Sequence, residues 1–293
     1  MHRRFARLFL AALPLILALP SRGAEPLVAL RPHQPAPGET VRITTTTTTR
    51  NGAITVREGA NQRSGTIEIS RKRVIDQRLA GTGAKQKLTF RILSDDISTT
   101  TRLAGSPPET KRKSGPLSGL TATGMRDATK RWKFFLDDTT TDTARTAALA
   151  ALEAYANRRW FPPRAVPVGA TWPIDPGFIR HIVARDLGKT PLEATMTLRK
   201  IRKDPDNPNA PGTAVLDCRI TTRGHKKENA ARPESGAIVS LTGTLEIDLA
   251  TMLDRHFLLE GTLTTFASKD AITTSIHLPI RMEVTKKILP KTP

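Results

Sequence analysis

The sequence predicts a mainly β protein: a long antiparallel meander in two similar halves, folded as an incomplete barrel or as one shared curved sheet, with one packed central α-helix. Three observations lead there. β-branched residues, threonine above all, recur in alternation through most of the chain, which is the period-2 pattern of strands with one buried face. A single Ala-rich segment breaks that pattern near the middle. Segments on either side of it match one another in order and in phase.

Strands are expected at Thr40–Arg50, Ile54–Glu58, Gly65–Val74, Lys87–Ser94, Leu117–Thr123 and Arg131–Leu136. After a gap they resume at Leu192–Ile201, Gly212–Thr222, Ala237–Asp248, Arg255–Ala267 and Ala271–Val284. Turns rich in Gly, Pro and Asn separate them, as in 204–212, and favour antiparallel hairpins. Between Gly212 and Thr222 the residues Ala214, Leu216, Cys218 and Ile220 share one strand face, opposite Asp217 and Arg219. Cys218 therefore reads as a small core residue, and as the chain's one cysteine it can form no internal disulfide.

The Ala-rich segment predicts a helix over 143–158. Leu149, Leu152 and Tyr155 fall on one side, Asp142 or Thr143 can cap the N-terminus, and Arg158 and Arg159 suit the C-terminal end. Pro162 and Pro163 stop it. A second, shorter helix is expected at 176–187, where Phe178, Ile182 and Val183 share a face.

The matched segments set the domain plan. Pro37–Val41 resembles Val168–Trp172, Leu88–Ile92 aligns with Ala214–Cys218, and Leu117–Gly119 matches Leu241–Gly243. Without a gap from the last pair, Arg131 falls on Arg255 and Phe134 on Leu258. This divides the chain into an N-terminal β unit (24–142), a helix and linker (143–163) and a C-terminal β unit (164–293), as a duplication would.

Residues 1–23 read as a secretory signal peptide. Arg3, Arg4 and Arg7 precede an apolar run from Leu8 to Leu19, too short for the roughly 20 residues that span a bilayer. Ser21-Arg22-Gly23 supplies the small-x-small cleavage pattern. The expected location is periplasmic or secreted, with no transmembrane segment after cleavage. Removing residues 1–23, which hold four arginines and no acid, lowers the formal net charge from +19 to +15.

That charge favours anionic partners, an envelope lipid or polymer among them. The basic clusters Arg71-Lys72-Arg73, Lys111-Arg112-Lys113, Arg199-Lys200 with Arg202-Lys203, Lys226-Lys227 and Lys286-Lys287 are spread along the chain and read as a solvated basic surface. Aromatic residues are only 4% of the chain, too few for the stacking platforms of single-strand nucleic-acid binders, so no nucleic-acid partner is expected.

No local motif carries chemistry. The histidines His33, His181, His225, His256 and His277 have no metal-ligand spacing, so no metal or cofactor is expected. His181 and Asp186, five residues apart, would diverge on a helix. The acid pairs Asp95-Asp96 and Asp137-Asp138 read as solvated turn carboxylates at strand ends. No nucleophile elbow or Gly-rich phosphate loop is present, so no catalytic residue is assigned.

One further stretch, Phe161 to Trp172, carries a resemblance. It is similar to the P-x-x-x-V-x-V-G-x-x-W motif of exported, β-rich bacterial families of unknown function, common in Gram-negative bacteria. The resemblance implies export and the two-half layout, and no activity. Physically, Gly169 allows a tight turn and Trp172 starts a strand by filling the core beside the helix.

The leading expectation is a non-enzymatic binding or structural protein of the bacterial envelope. In its lipid-carrier form it requires an apolar cavity between sheet and helix. The alternatives are a basic surface module for anionic envelope polymer or lipid headgroups, and an enzyme whose site has no local motif.

Overall fold

A computed structural model describes residues 27–137, 142–175, 192–222, 235–269 and 272–290. Its elements, in chain order, are β1 (Thr40–Glu58), β2 (Asn61–Ala80), β3 (Lys87–Leu103), β4 (Glu109–Ser114), β5 (Thr121–Arg126) and β6 (Trp132–Leu136). Then come helix α1 (Thr143–Ala156), β7 (Thr171–Pro173), β8 (Leu192–Arg202), β9 (Thr213–Thr222), β10 (Ser235–Asp248), β11 (Leu253–Lys269) and β12 (Ile272–Leu289). All twelve strands join one antiparallel sheet that is not closed into a barrel, in the order β6-β5-β3-β2-β1-β12-β11-β10-β9-β8-β7, with β4 on β3. Of the two predicted arrangements, the shared sheet is the one that forms. β1 and β12 are its central pair, so the two halves meet along their hydrogen bonds.

Several strands are longer than the alternation indicates. The expected strands at 40–50 and 54–58 are one strand, interrupted by a bulge where the register with β2 jumps from Thr49/Ile69 to Gly52/Ile67. Asn51 sits in this bulge at φ +56, a left-handed conformation that Asn tolerates. The strand expected at 117–123 starts only at Thr121, because a turn with Gly119 at φ +78 precedes it. β4 was not expected: every residue of Glu109–Ser114 is exposed, so no buried face imprints a period of two. Its charges suit it to the sheet margin, where they discourage pairing with another chain.

Helix α1 follows the expected span closely. The Asp142 carboxylate accepts from the Arg145 N–H at 2.7 Å as an N-cap, and Ala148 and Leu152 are buried. The helix docks on the free edge of β6 through its own side chains. Asn157 accepts from the Trp132 N–H (2.8 Å) and donates to the Trp132 carbonyl (2.9 Å), and Glu153 accepts from the Phe134 N–H (3.1 Å). A four-residue step along a helix advances about 6 Å and a two-residue step along a strand nearly 7 Å, so the two spacings correspond.

Buried apolar side chains among the described residues form two clusters. One lies over β8–β11 and contains Trp160, Trp172, Met196, Leu216 and Leu241. The other lies under α1 and contains Val41, Ile75, Phe90, Phe134 and Leu152. Trp172 is buried as expected, and its indole N–H donates to the Trp160 carbonyl at 2.7 Å. Gly169 turns at φ +88 and hydrogen-bonds to Leu198. Cys218 is 2% exposed, and burial pushes its thiol up to about 12.

Of the matched segments, Leu88–Ile92 and Ala214–Cys218 lie on β3 and β9, while Phe134 and Leu258 lie on β6 and β11. The series β6-β5-β3-β2-β1 and β11-β10-β9-β8-β7 run in the same sense across the sheet, with β12 between them. Leu117–Gly119 and Leu241–Gly243 do not correspond: the first is in a turn and the second inside β10. The expected signal peptide at 1–23, the expected 176–187 helix, His181 with Asp186, His225, Lys226-Lys227 and Asp138 lie outside the described residues.

Candidate functional site

Cross-strand register determines which charges face inward. Ile43 on β1 is opposite Ile75 on β2 and Lys286 on β12, so Lys286 shares the core face with two isoleucines. Thr45 is likewise opposite Arg73 and Val284, and Thr47 is opposite Arg71 and Met282. The Arg71-Lys72-Arg73 and Lys286-Lys287 clusters are therefore not simply solvated surface. In each, alternation turns inward residues that an isolated reading leaves outside.

Two β-bulges supply the inward acids. In β11 the register with β10 shifts between Glu246/His256 and Ile247/Asp254, which skips Arg255 and rotates Asp254 onto the face of Phe257 and Leu259. In β3 the shift between Ser94/Val74 and Ile92/Ile75 skips Leu93 and brings Asp95 to the inner face opposite Arg73. Asp95 is 4% exposed and accepts a two-pronged pair from Arg71 at 2.7 and 2.6 Å. This corrects the expectation for Asp95, which is a buried mid-strand carboxylate; only its neighbour Asp96 is exposed.

Asp254 anchors the centre of the site. Its Oδ2 accepts from Lys286 Nζ at 2.5 Å and from Arg158 at 3.4 Å. The side chains of Asp254, Lys286 and Arg158 are only 7%, 5% and 12% exposed. Burial works against the charge of Asp254, but Lys286 and then Arg158 outweigh it and hold the carboxyl below the usual carboxylate range. Arg158 leaves the C-terminal end of α1 and donates to the Tyr155 carbonyl at 2.8 Å. Its guanidinium lies 4.1 Å from the Tyr155 ring centroid and 5.1 Å from that of Trp160.

Two cavities meet at Asp254 and Lys286. A small one of about 120 Å³ runs between sheet and helix, walled by Ile43, Ile75, Phe90, Leu152, Met282 and Val284. A wider cleft of about 820 Å³ adjoins it and shares Phe90, Tyr155, Asp254 and Lys286 with it. Arg126, Lys130, Arg131, Arg158, Arg159 and Lys286 line the cleft, against the two carboxylates Asp175 and Asp254. The 127–131 turn presents the rim cations. The Asp127 carboxylate accepts from the Thr129 hydroxyl and from the Arg131 N–H, which together hold it below its ordinary value. Lys130 follows at φ +62. Arg126 lies 4.4 Å over the Trp132 ring and donates to the Lys130 carbonyl.

Of the described histidines, His33 also lines the cleft, while His256 and His277 are not part of its wall. His33 contacts Glu39 and the Thr251 carbonyl, His256 contacts Glu283, and His277 contacts Thr264. Among the described residues no three His, Cys, Asp or Glu side chains gather as a metal site requires. No helix among them is long and apolar enough to cross a membrane.

No family model and no curated protein matches this chain. Among solved structures, it is similar at TM-score 0.43 and 11% identity to a lipovitellin structure described as "Lipid-protein interactions in lipovitellin", over 89% of this chain and 26% of that one. It thus spans about a quarter of the lipovitellin chain. A second likeness, at TM-score 0.14 and 9% identity, is to "Crystal structure of HCR/D-Sa-GBL1/C", over 87% of this chain and 84% of that one.

Proposed function

We propose that this chain is an exported, non-enzymatic binding protein of the bacterial envelope whose cationic cleft receives the acidic headgroup of an envelope lipid. The observation that carries this reading is the cleft itself, where six cationic side chains face two carboxylates in about 820 Å³. That volume falls within the roughly 300–1,000 Å³ of small-ligand sites, and an excess of cationic groups in a cleft concentrates anionic ligands.

The carrier expectation required an apolar cavity between sheet and helix. The cavity found there has about 120 Å³, less than the roughly 150 Å³ that accommodates benzene in an engineered core. An acyl chain does not fit inside it. The roomier space is polar, which favours contact with the headgroup over enclosure of the tail. Acidic polymer would meet the same rim cations, but Arg158 and Lys286 lie recessed, where a compact headgroup reaches them.

Co-sedimentation with vesicles tests the proposal. Binding to phosphatidylcholine vesicles containing an acidic phospholipid is expected, with little to phosphatidylcholine alone. It should weaken steeply between about 10 mM and 150 mM salt, as the screening length falls from roughly 30 Å to 8 Å. Equal binding to neutral vesicles, or none to acidic ones, would refute it.

A further inference from the structure

We infer that Arg158 and Lys286 form a recessed oxyanion subsite at the floor of the cleft, which takes the phosphate or carboxylate of the acidic ligand. The inference deepens the headgroup reading above and rests on it. The trio sets two buried cations against one buried carboxylate, and both cations reach the same atom, Asp254 Oδ2. Across the whole cleft wall six cations stand against the two carboxylates Asp175 and Asp254, and an incoming anion offsets part of that excess where solvation is poor.

The donors suit an oxyanion. In the contacts described, Arg158 uses one terminal nitrogen toward the Tyr155 carbonyl and the other toward Asp254, and Lys286 uses its Nζ toward Asp254. Arg carries five N–H donors and Lys three, so each retains capacity for a ligand oxygen. The Tyr155 and Trp160 rings flank the guanidinium and fix its plane, and a planar fork matches phosphate and carboxylate geometry. Phe90 and Leu253, both buried, line the same cleft, and poor solvation strengthens each charge contact. The rim cations Lys130 and Arg131 stand in the exposed 127–131 turn and act on approach.

A free oxyanion and a lipid headgroup share this chemistry, and two ligands separate them. The full protein is titrated calorimetrically with inorganic phosphate and sedimented with phosphatidylcholine vesicles containing phosphatidic acid. The proteins compared are wild type, Arg158→Gln and the rim variant Lys130→Gln/Arg131→Gln, each checked for folding by near-UV circular dichroism. The expected result is phosphate binding by wild type that Arg158→Gln weakens by about tenfold or more, the loss of a charged hydrogen bond. The rim variant should lose less affinity for phosphate while weakening vesicle capture. If Arg158→Gln binds phosphate and vesicles as wild type does while the rim variant fails on vesicles, the subsite is overturned and the headgroup reading stands. Phosphate binding without vesicle binding supports the subsite for a soluble oxyanion and removes the lipid. Binding of neither by wild type overturns both. Should Arg158→Gln not fold, Arg158→Lys keeps the charge but loses the fork, and unchanged phosphate affinity in that variant overturns the subsite.

Discussion

At the scale of single residues, the consequential side chains are charges held where apolar neighbours surround them. Removing the carboxylate in Asp254→Asn leaves Lys286 and Arg158 buried without their shared partner, at an expected cost of about 3–5 kcal/mol in urea denaturation. The pH dependence has a fixed sign. The folded value of Asp254 is depressed, so its contribution is fully present above the unfolded carboxylate value of about 3.9 and is lost as pH falls through the lower folded value. Urea midpoints taken from pH 7 down to pH 2 should fall below pH 4 in wild type, and fall less in Asp254→Asn. Cys218 gives a second residue-scale test. With its thiol pushed up to about 12 and its side chain buried, it should resist a thiol reagent at pH 8 until the protein unfolds. The core role of Cys218 was legible from alternation. That of Asp254 was not, because a period-2 reading places Arg255, not Asp254, in phase with Phe257 and Leu259.

Among the elements, helix α1 shows how much local sequence can disclose and where it stops. Its span, cap and buried face follow from composition and spacing, whereas its docking partner does not. Glu153 and Asn157 read as ordinary polar residues of an exposed face, yet they bind the backbone of β6, 19 to 25 residues earlier. Asn157→Ala should destabilise the protein by about 1–3 kcal/mol, since it strands an N–H and a carbonyl of Trp132. Hydrogen exchange at the Trp132 amide should quicken accordingly. Bulges set the other boundary of legibility. The strands of the sheet were readable wherever one face is apolar, but each one-residue register shift reverses the faces beyond it. The cleft was illegible for the same reason: Arg126, Lys130, Arg158 and Lys286 come from three separated regions, and topology gathers what the chain spreads out.

For the whole molecule, the central β1–β12 pair makes both halves one hydrogen-bonded body. Two clusters of buried residues lie on that body, and Tyr155 and Val284 pack against both. Thermal unfolding followed by tryptophan fluorescence and by far-UV circular dichroism should therefore trace a single coincident transition. Separate transitions would show that the clusters melt independently. The central pair also has a consequence in time. Its partners are strands near opposite ends of the described chain, so the hydrogen bonds of β1 toward β12 wait for the last strand to emerge. Until Ile272–Leu289 exists, β1 presents a threonine-rich bare margin of 19 residues to any other strand nearby. Folding thus passes through a stage at which that margin is open to pairing with another chain, and the hazard ends when β12 docks on β1.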